Sequence, residues 1–166
     1  MAKPYENATP ICIVLTVVAL IGIIIGLATK IPLITILCLL PTVAYEVYRT
    51  EGESTKYASW GLLGVFIIEI ILILFNVQFD LASYLGVSEQ YISGYTVPLG
   101  DIKIVGPIIM AILSIVLLIR TRGKYTRWLA VNIIVASFAL IYVLDPMIFQ
   151  RYIQIASESL LRNINL

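Results

Sequence analysis

The sequence predicts an all-α integral membrane protein, a bundle of five transmembrane helices followed by a C-terminal amphipathic helix at the membrane surface. Three observations lead to this prediction. Of the 166 residues, 60% are hydrophobic and only 13% are charged, whereas a soluble domain carries about 25% charged residues. Apolar stretches of membrane-spanning length take up most of the chain, and a segment with one apolar face follows them. We therefore expect a single transmembrane domain over residues 1–166.

Five apolar segments are long enough to cross a bilayer. At ~1.5 Å per residue, helices of about 17–22 residues span ~25–33 Å, which matches the hydrocarbon core. The second segment is short and contains Pro41 near its middle, where proline removes a helix hydrogen bond and should kink the helix. The predicted spans are 10–28, 31–48, 58–79, 102–119 and 128–144.

The longest loop, 80–101, joins the third and fourth spans and is rich in tyrosine. We expect a short interfacial helix over 81–87 and a small extended piece over 91–97. Tyrosines at a membrane surface are usually interfacial belt residues. The alternative is that they form a docking surface for a partner.

The C-terminal segment follows a recognisable helix start. Asp145 and Pro146 are typical of a helix N-cap and its first turn. Apolar residues then recur every four positions, with polar residues on the opposite face. This pattern predicts an amphipathic helix over 146–164, with its apolar face in the membrane interface or against a neighbouring subunit.

The distribution of charge orients the predicted bundle, because lysine and arginine concentrate in the cytoplasmic loops of membrane proteins. We expect a multi-pass protein of the cell membrane with a cytoplasmic N-terminus and an extracytoplasmic C-terminus. Lys30, in the tight turn between the first two spans, is the one charge that argues against this orientation. The side assigned to the cytoplasm collects most of the basic residues: Lys3, Arg49, Lys56, Arg120, Arg122, Lys124 and Arg127.

The composition also excludes several function classes. Histidine is absent, which removes the ligand that most haem, copper and zinc sites require, so no metal site is expected. Cys12 and Cys38 are predicted at different depths, too far apart for a disulfide. The net charge of +1 gives no basic surface for nucleic acid. No motif for nucleotide binding or nucleophilic catalysis is present, so we do not expect the chain alone to be an enzyme or to bind a cofactor.

Two carboxyl groups lie inside predicted spans. Glu69 is the stronger functional candidate because its long apolar run should place it near the bilayer centre, where a charge costs ~2.5–3.5 kcal/mol on insertion scales. We expect the hydroxyls of Ser114 and Ser137 at similar depths. No lysine or arginine of this chain is expected to reach that depth. Three roles stay open for Glu69: a structural hydrogen-bonded acid, a contact with a partner, lipid or cofactor, and a proton or cation relay. Glu46 and Arg49 are expected to form an ion pair near the cytoplasmic interface.

Small residues predict where helices pack closely. Gly22 and Gly26 form a small-xxx-small pair, which lets two helix backbones approach each other. Gly61 and Gly64 are expected to act in the same way, within the chain or against another subunit. A groove opened by the kink at Pro41 would suit a lipid or a quinone at the surface of the protein.

Two functions from different classes fit these features. The first is a non-catalytic accessory subunit of a larger membrane complex, with other membrane subunits and lipids as partners. Energy-transducing, respiratory-type oxidoreductases are typical hosts for small multi-span subunits that lack histidine. The second is a small transporter or channel, with Glu69 as its proton- or cation-coupled site. A membrane enzyme acting on lipid is a more distant alternative.

Overall fold

Five long helices make up the body of the protein. The structure, a computed structural model, describes residues 7–50, 52–77, 89–92, 95–98, 102–147, 149–150 and 153–154. Each of the five helices is long and apolar enough to cross a membrane, which confirms the all-α, multi-pass prediction. The helices are α1 Ala8–Thr29, α2 Pro32–Arg49, α3 Glu53–Leu74, α4 Ile102–Arg120 and α5 Lys124–Leu144.

A small hairpin lies in the loop between α3 and α4. Its strands, β1 Glu89–Ile92 and β2 Tyr95–Pro98, pair antiparallel, and the predicted extended piece, 91–97, falls across them. The predicted interfacial helix, 81–87, lies outside the described residues. We call the end of the bundle that carries this hairpin the hairpin end. The opposite end, at residues 50, 52 and 121–123, is called the basic end.

Most of the predicted C-terminal helix, 146–164, also lies outside the described residues. The residues that the structure describes there, 146–147, 149–150 and 153–154, are helical. The backbone N–H of Met147 donates a hydrogen bond to Oδ1 of Asp145 at 2.9 Å. This bond is the side-chain cap that the Asp145-Pro146 pair predicts.

Two helices, α2 and α5, each pack against three others. α2 packs against α1, α3 and α5, and α5 packs against α1, α2 and α4, while α4 lies between α3 and α5. The interior between α2, α3, α4 and α5 is filled by fully buried apolar side chains, which exclude water from the middle of the bundle. They include Ile36, Leu39, Leu62, Phe66, Met110, Ile133 and Leu140.

The ends of α3 differ from the prediction. The helix begins at Glu53 and ends at Leu74, rather than spanning 58–79. Asn76 then adopts a left-handed backbone conformation with φ 46°, which asparagine tolerates better than most residues. The whole helix is therefore shifted along the chain, and Glu69 lies close to one of its ends.

Close packing between α1 and α2 depends on two glycines. A methyl group at Gly22 would overlap the side chain of Cys38, and one at Gly26 would overlap Thr35. The hydroxyl of Thr35 also donates a hydrogen bond to the carbonyl of Gly22 at 3.2 Å. These contacts show that the two backbones approach too closely for a larger side chain, as small-xxx-small spacing allows.

Gly61 and Gly64 do not bring a second described helix of this chain into such close approach. A methyl group at Gly61 would touch Leu113 at an ordinary 3.9 Å, and one at Gly64 would meet nothing within 4 Å. Both glycines face outward. α2 continues as a helix from Pro32 to Arg49 through Pro41, so the groove expected at that proline stays a prediction.

Candidate functional site

Glu69 is fully buried between α3 and α4. Its carboxyl group lies against the backbone of Gly106, where a methyl group would overlap it. Glu69 is five residues before the end of α3, or about 8 Å along the axis, and Gly106 is four residues into α4, or about 6 Å. Glu69 thus lies away from the middle of α3, while the expectation that it lies near the centre of the bilayer stays a prediction. Glu69 is near the hairpin end, because α3 ends earlier than its apolar run.

A lysine of this chain lies on the same part of the interface, contrary to expectation. Lys103 is only 8% exposed, and its Nζ donates a hydrogen bond to Oδ1 of Asn76 at 2.8 Å. Lys103 and Gly106 are three residues apart on α4, so they share a helix face. A buried ammonium and a buried carboxyl group thus enter the α3–α4 interface within about one helical turn of each other.

The two serines predicted to accompany Glu69 do not bond to it. Ser114 lies eight residues beyond Gly106 on α4, about 12 Å further toward the basic end. Its buried hydroxyl has no hydrogen-bond partner among the described residues. The hydroxyl of Ser137 donates to the carbonyl of Ile133 at 2.8 Å, within α5 itself. The structure therefore brings Lys103 and Asn76 to this interface in place of the two serines.

The second buried carboxyl group, Glu46, forms a separate polar site between α2 and α3. Glu46 is 0% exposed. The hydroxyl of Thr50 donates to Oε1 at 2.5 Å. The hydroxyl of Ser59 lies 2.7 and 2.8 Å from the two carboxyl oxygens. The described hydrogen-bond partners of Glu46 are thus two hydroxyl groups, one on the residue that follows α2 and one near the start of α3.

The predicted ion pair between Glu46 and Arg49 is not formed. Arg49 donates a hydrogen bond to the hydroxyl of Tyr45 at 3.3 Å, and its guanidinium lies 4.8 Å from the ring centroid of Tyr125 on α5. Glu46 is directed toward Ser59 on α3 instead. The i,i+3 spacing puts both residues on neighbouring parts of one helix, but their side chains diverge toward different neighbouring helices.

Hydroxyl and amide groups also join α1 to α5. Oγ1 of Thr16 accepts hydrogen bonds from Nε1 of Trp128 at 3.0 Å and from Nδ2 of Asn132 at 2.7 Å. Nearer the basic end, the hydroxyls of Thr9 and Tyr125 are 2.8 Å apart. These bonds fix the register of two helices whose apolar surfaces alone would permit sliding.

An apolar layer separates the two carboxyl groups. Glu69 and Ser59 are ten residues apart on α3, so about 15 Å of helix lies between the Glu69 and Glu46 sites. Leu62 and Phe66 of α3 occupy that interval and are almost completely buried, as is Met110 of α4. Within the described residues, the polar side chains at the two ends form separate groups, not one connected chain.

The sequence did not predict Gly106, Thr50 and Ser59 as site residues. A helical Gly-Pro pair in an apolar span was the one available sign of Gly106, since glycine there leaves room for a neighbouring side chain. Among the described residues, no three residues of the types histidine, cysteine, aspartate and glutamate are grouped so that they would hold a metal ion. Comparison with protein-family models, with curated proteins and with solved structures gives no match.

Proposed function

We propose that the protein is a non-catalytic subunit of a larger membrane complex, and that it meets a partner through the uncovered side of α3. The observation that carries the proposal is the uneven covering of the helices. Only 22% of the residues in the α3 span are buried, against 39% in α4 and in α5. The shares in α1 and α2 are 28% and 33%, so α3 has the smallest buried share of the five described helices.

The chemistry of that surface suits a second transmembrane helix. Gly61 and Gly64 lie on it, and space is open above Gly64 to at least 4 Å. Trp60, Ile67 and Ile68 flank the glycines and are 56%, 49% and 57% exposed. Small residues let a partner backbone come close, and the large side chains around them supply van der Waals contact, which is what holds helices together in lipid.

The interior of the bundle supports a scaffolding role. The apolar layer around Leu62 and Phe66 gives the described helices a packed core with no continuous polar route through it. Such a subunit would bind other membrane subunits and lipids and no cofactor of its own. A respiratory-type oxidoreductase is the host class that we propose, with lipid or quinone against the surface near Pro41.

Replacing Gly64 by leucine tests this proposal. The new side chain has room within the chain, so folding should be preserved, but it would occupy the space that a partner helix needs. Tagged chains would be extracted from native membranes in mild detergent and separated on native gels. We expect the wild-type chain to migrate in a large assembly, and Gly64→Leu to lower the assembled fraction about tenfold, equivalent to a loss of ~1.4 kcal/mol.

Ala44→Leu, at an exposed position of α2, is the matched control and should leave assembly unchanged. Mass spectrometry of the assembled band would identify the partner subunits. Migration of the wild-type chain alone, or normal assembly of Gly64→Leu, would overturn the α3 proposal.

A second candidate function is a small transporter with Glu69 as its coupled site. What favours it is the burial of both Glu69 and Lys103 at one helix interface, because ionisable groups inside membrane spans commonly belong to ion or proton pathways. On this proposal, Glu69→Gln abolishes proton or sodium flux in proteoliposomes while the helical content measured by circular dichroism stays normal. Flux that is unchanged in Glu69→Gln would remove the candidate.

A further inference from the structure

The Glu46 site is built from oxygen atoms alone. Its carboxyl group is completely buried, and the groups bonded to it among the described residues are the hydroxyls of Thr50 and Ser59. A hydroxyl that donates its hydrogen to a carboxylate keeps two lone pairs on its oxygen. Those lone pairs and the carboxylate oxygens together make a set of hard oxygen ligands, the type that alkali and alkaline-earth cations prefer.

A further buried oxygen lies about one helical turn from this set. Thr42 is one helical turn before Glu46, so the two side chains share a face of α2. Thr42 is 0% exposed, and its hydroxyl has no hydrogen-bond partner among the described residues. A buried polar group without a partner destabilises the folded state. A ligand bound next to Glu46 would remove that destabilisation.

We propose that Glu46, Thr50 and Ser59 bind a monovalent cation, Na⁺, with the Thr42 hydroxyl as an additional ligand. Charge balance selects a monovalent ion. One carboxylate and one Na⁺ sum to zero, whereas a divalent ion would leave a net positive charge in a low-dielectric interior, where an uncompensated charge costs several kcal/mol. The hydroxyls and the carboxyl group are in hydrogen-bond contact at 2.5–2.8 Å, so an ion bound to their free lone pairs would have little space, which favours the smaller Na⁺ over K⁺.

The position of the site determines how the ion would enter. Glu46 is three residues before the end of α2, about 5 Å along the helix from the basic end. Leu62 and Phe66 close the opposite direction. The ion thus exchanges with one side of the membrane only and links α2 to α3. It is a bound ion that stabilises the helix pair, and it is independent of the docking proposed for α3.

Among the described residues of α2, Arg49 is the charged side chain that bears on the affinity. Arg49 lies one turn from Glu46 on α2, and its described contacts are with Tyr45 and Tyr125. The positive charge of Arg49 repels a cation bound at Glu46. The repulsion is weakened because the guanidinium is directed away from Glu46. Removing that charge should therefore tighten Na⁺ binding, and Arg49→Gln gives a variant with the opposite expected effect from the ligand variants.

Thermal unfolding of the purified full-length chain in detergent tests the proposal. Unfolding would be followed by tryptophan fluorescence in NaCl, KCl and choline chloride at constant ionic strength. A ligand that binds only the folded state raises Tm with concentration. We expect Na⁺ to raise Tm above the choline value, K⁺ to raise it less, and Ser59→Ala to shift the half-maximal Na⁺ concentration about tenfold upward.

Two further variants separate ion binding from a purely structural role. Thr42→Val removes an unpartnered buried hydroxyl, so a structural account predicts a higher Tm with an unchanged response to Na⁺. Our proposal predicts a weaker response to Na⁺. Thr121→Val, which removes another buried hydroxyl without a described partner, at the end of α4, should keep the full response. The absence of a Na⁺-specific rise in Tm of the wild type, or a full response in both Ser59→Ala and Thr42→Val, would overturn the proposal even if Glu46→Gln fails to fold.

Discussion

Glycine has opposite consequences at two positions in the bundle. At Gly22 an added methyl group would overlap Cβ of Cys38, and the Cys38 backbone lies only 3.7 Å away. At Gly64 the same methyl group would enter open space. Because the backbone of residue 22 fixes the position of its Cβ, no side-chain rotation of that residue could remove the overlap with Cys38. Gly22 is thus required by close packing, whereas at Gly64 the main effect of glycine within the chain is its low helix propensity.

Alanine substitutions at these two positions should change stability in opposite directions. Gly22→Ala gains about 1 kcal/mol of helix propensity but incurs an overpacking cost of about 1–3 kcal/mol, so we expect a net loss of up to ~2 kcal/mol. Gly64→Ala keeps only the gain, and its Tm should rise. Both Tm values would be measured by thermal unfolding in the same detergent. A stabilised Gly22→Ala would contradict the close approach of α1 and α2.

At the scale of elements, the sequence predicted four spans well and misplaced the third. Length and apolar composition suffice for α1, α2, α4 and α5, because such helices must cover the hydrocarbon core. Composition did not reveal the end of α3, since apolar residues continue past Leu74 while a single left-handed residue, Asn76, ends the helix. Because α3 ends early, Glu69 lies near one end of that helix, and the sequence did not predict buried Lys103 on the same interface.

The Glu46 site could not be predicted from the sequence for a different reason. Ser59 is thirteen residues from Glu46 in the chain, and a contact between two helices leaves no periodic pattern in either one. The local spacing favoured Arg49 as the partner, which is the ordinary expectation on an isolated helix. In the bundle, packing of α2 between α3 and α5 directs the two side chains to different neighbours.

For the whole molecule, the unequal charge of the two ends predicts its orientation. Arg122, Lys124 and Arg127 lie exposed at the basic end, which we place in the cytoplasm. Cysteine variants of a cysteine-free chain would be labelled in intact cells with a membrane-impermeant maleimide. Met147→Cys, 80% exposed at the hairpin end, should react from outside. Glu53→Cys, exposed at the basic end, should react only after permeabilisation, and the reverse pattern would invert the assignment.

The short turn between α1 and α2 has a consequence for how the chain enters the membrane. α2 is the least apolar of the five spans and α1 is the most apolar, and only Lys30 and Ile31 separate them. A segment that carries Thr42, Glu46 and Arg49 partitions poorly into lipid by itself. Because the turn is so short, α2 leaves the ribosome directly after α1. We therefore expect the two helices to insert into the bilayer as a pair. The more apolar α1, which is synthesised before α2, thus offers an apolar protein surface to the less apolar α2 as the two enter the membrane.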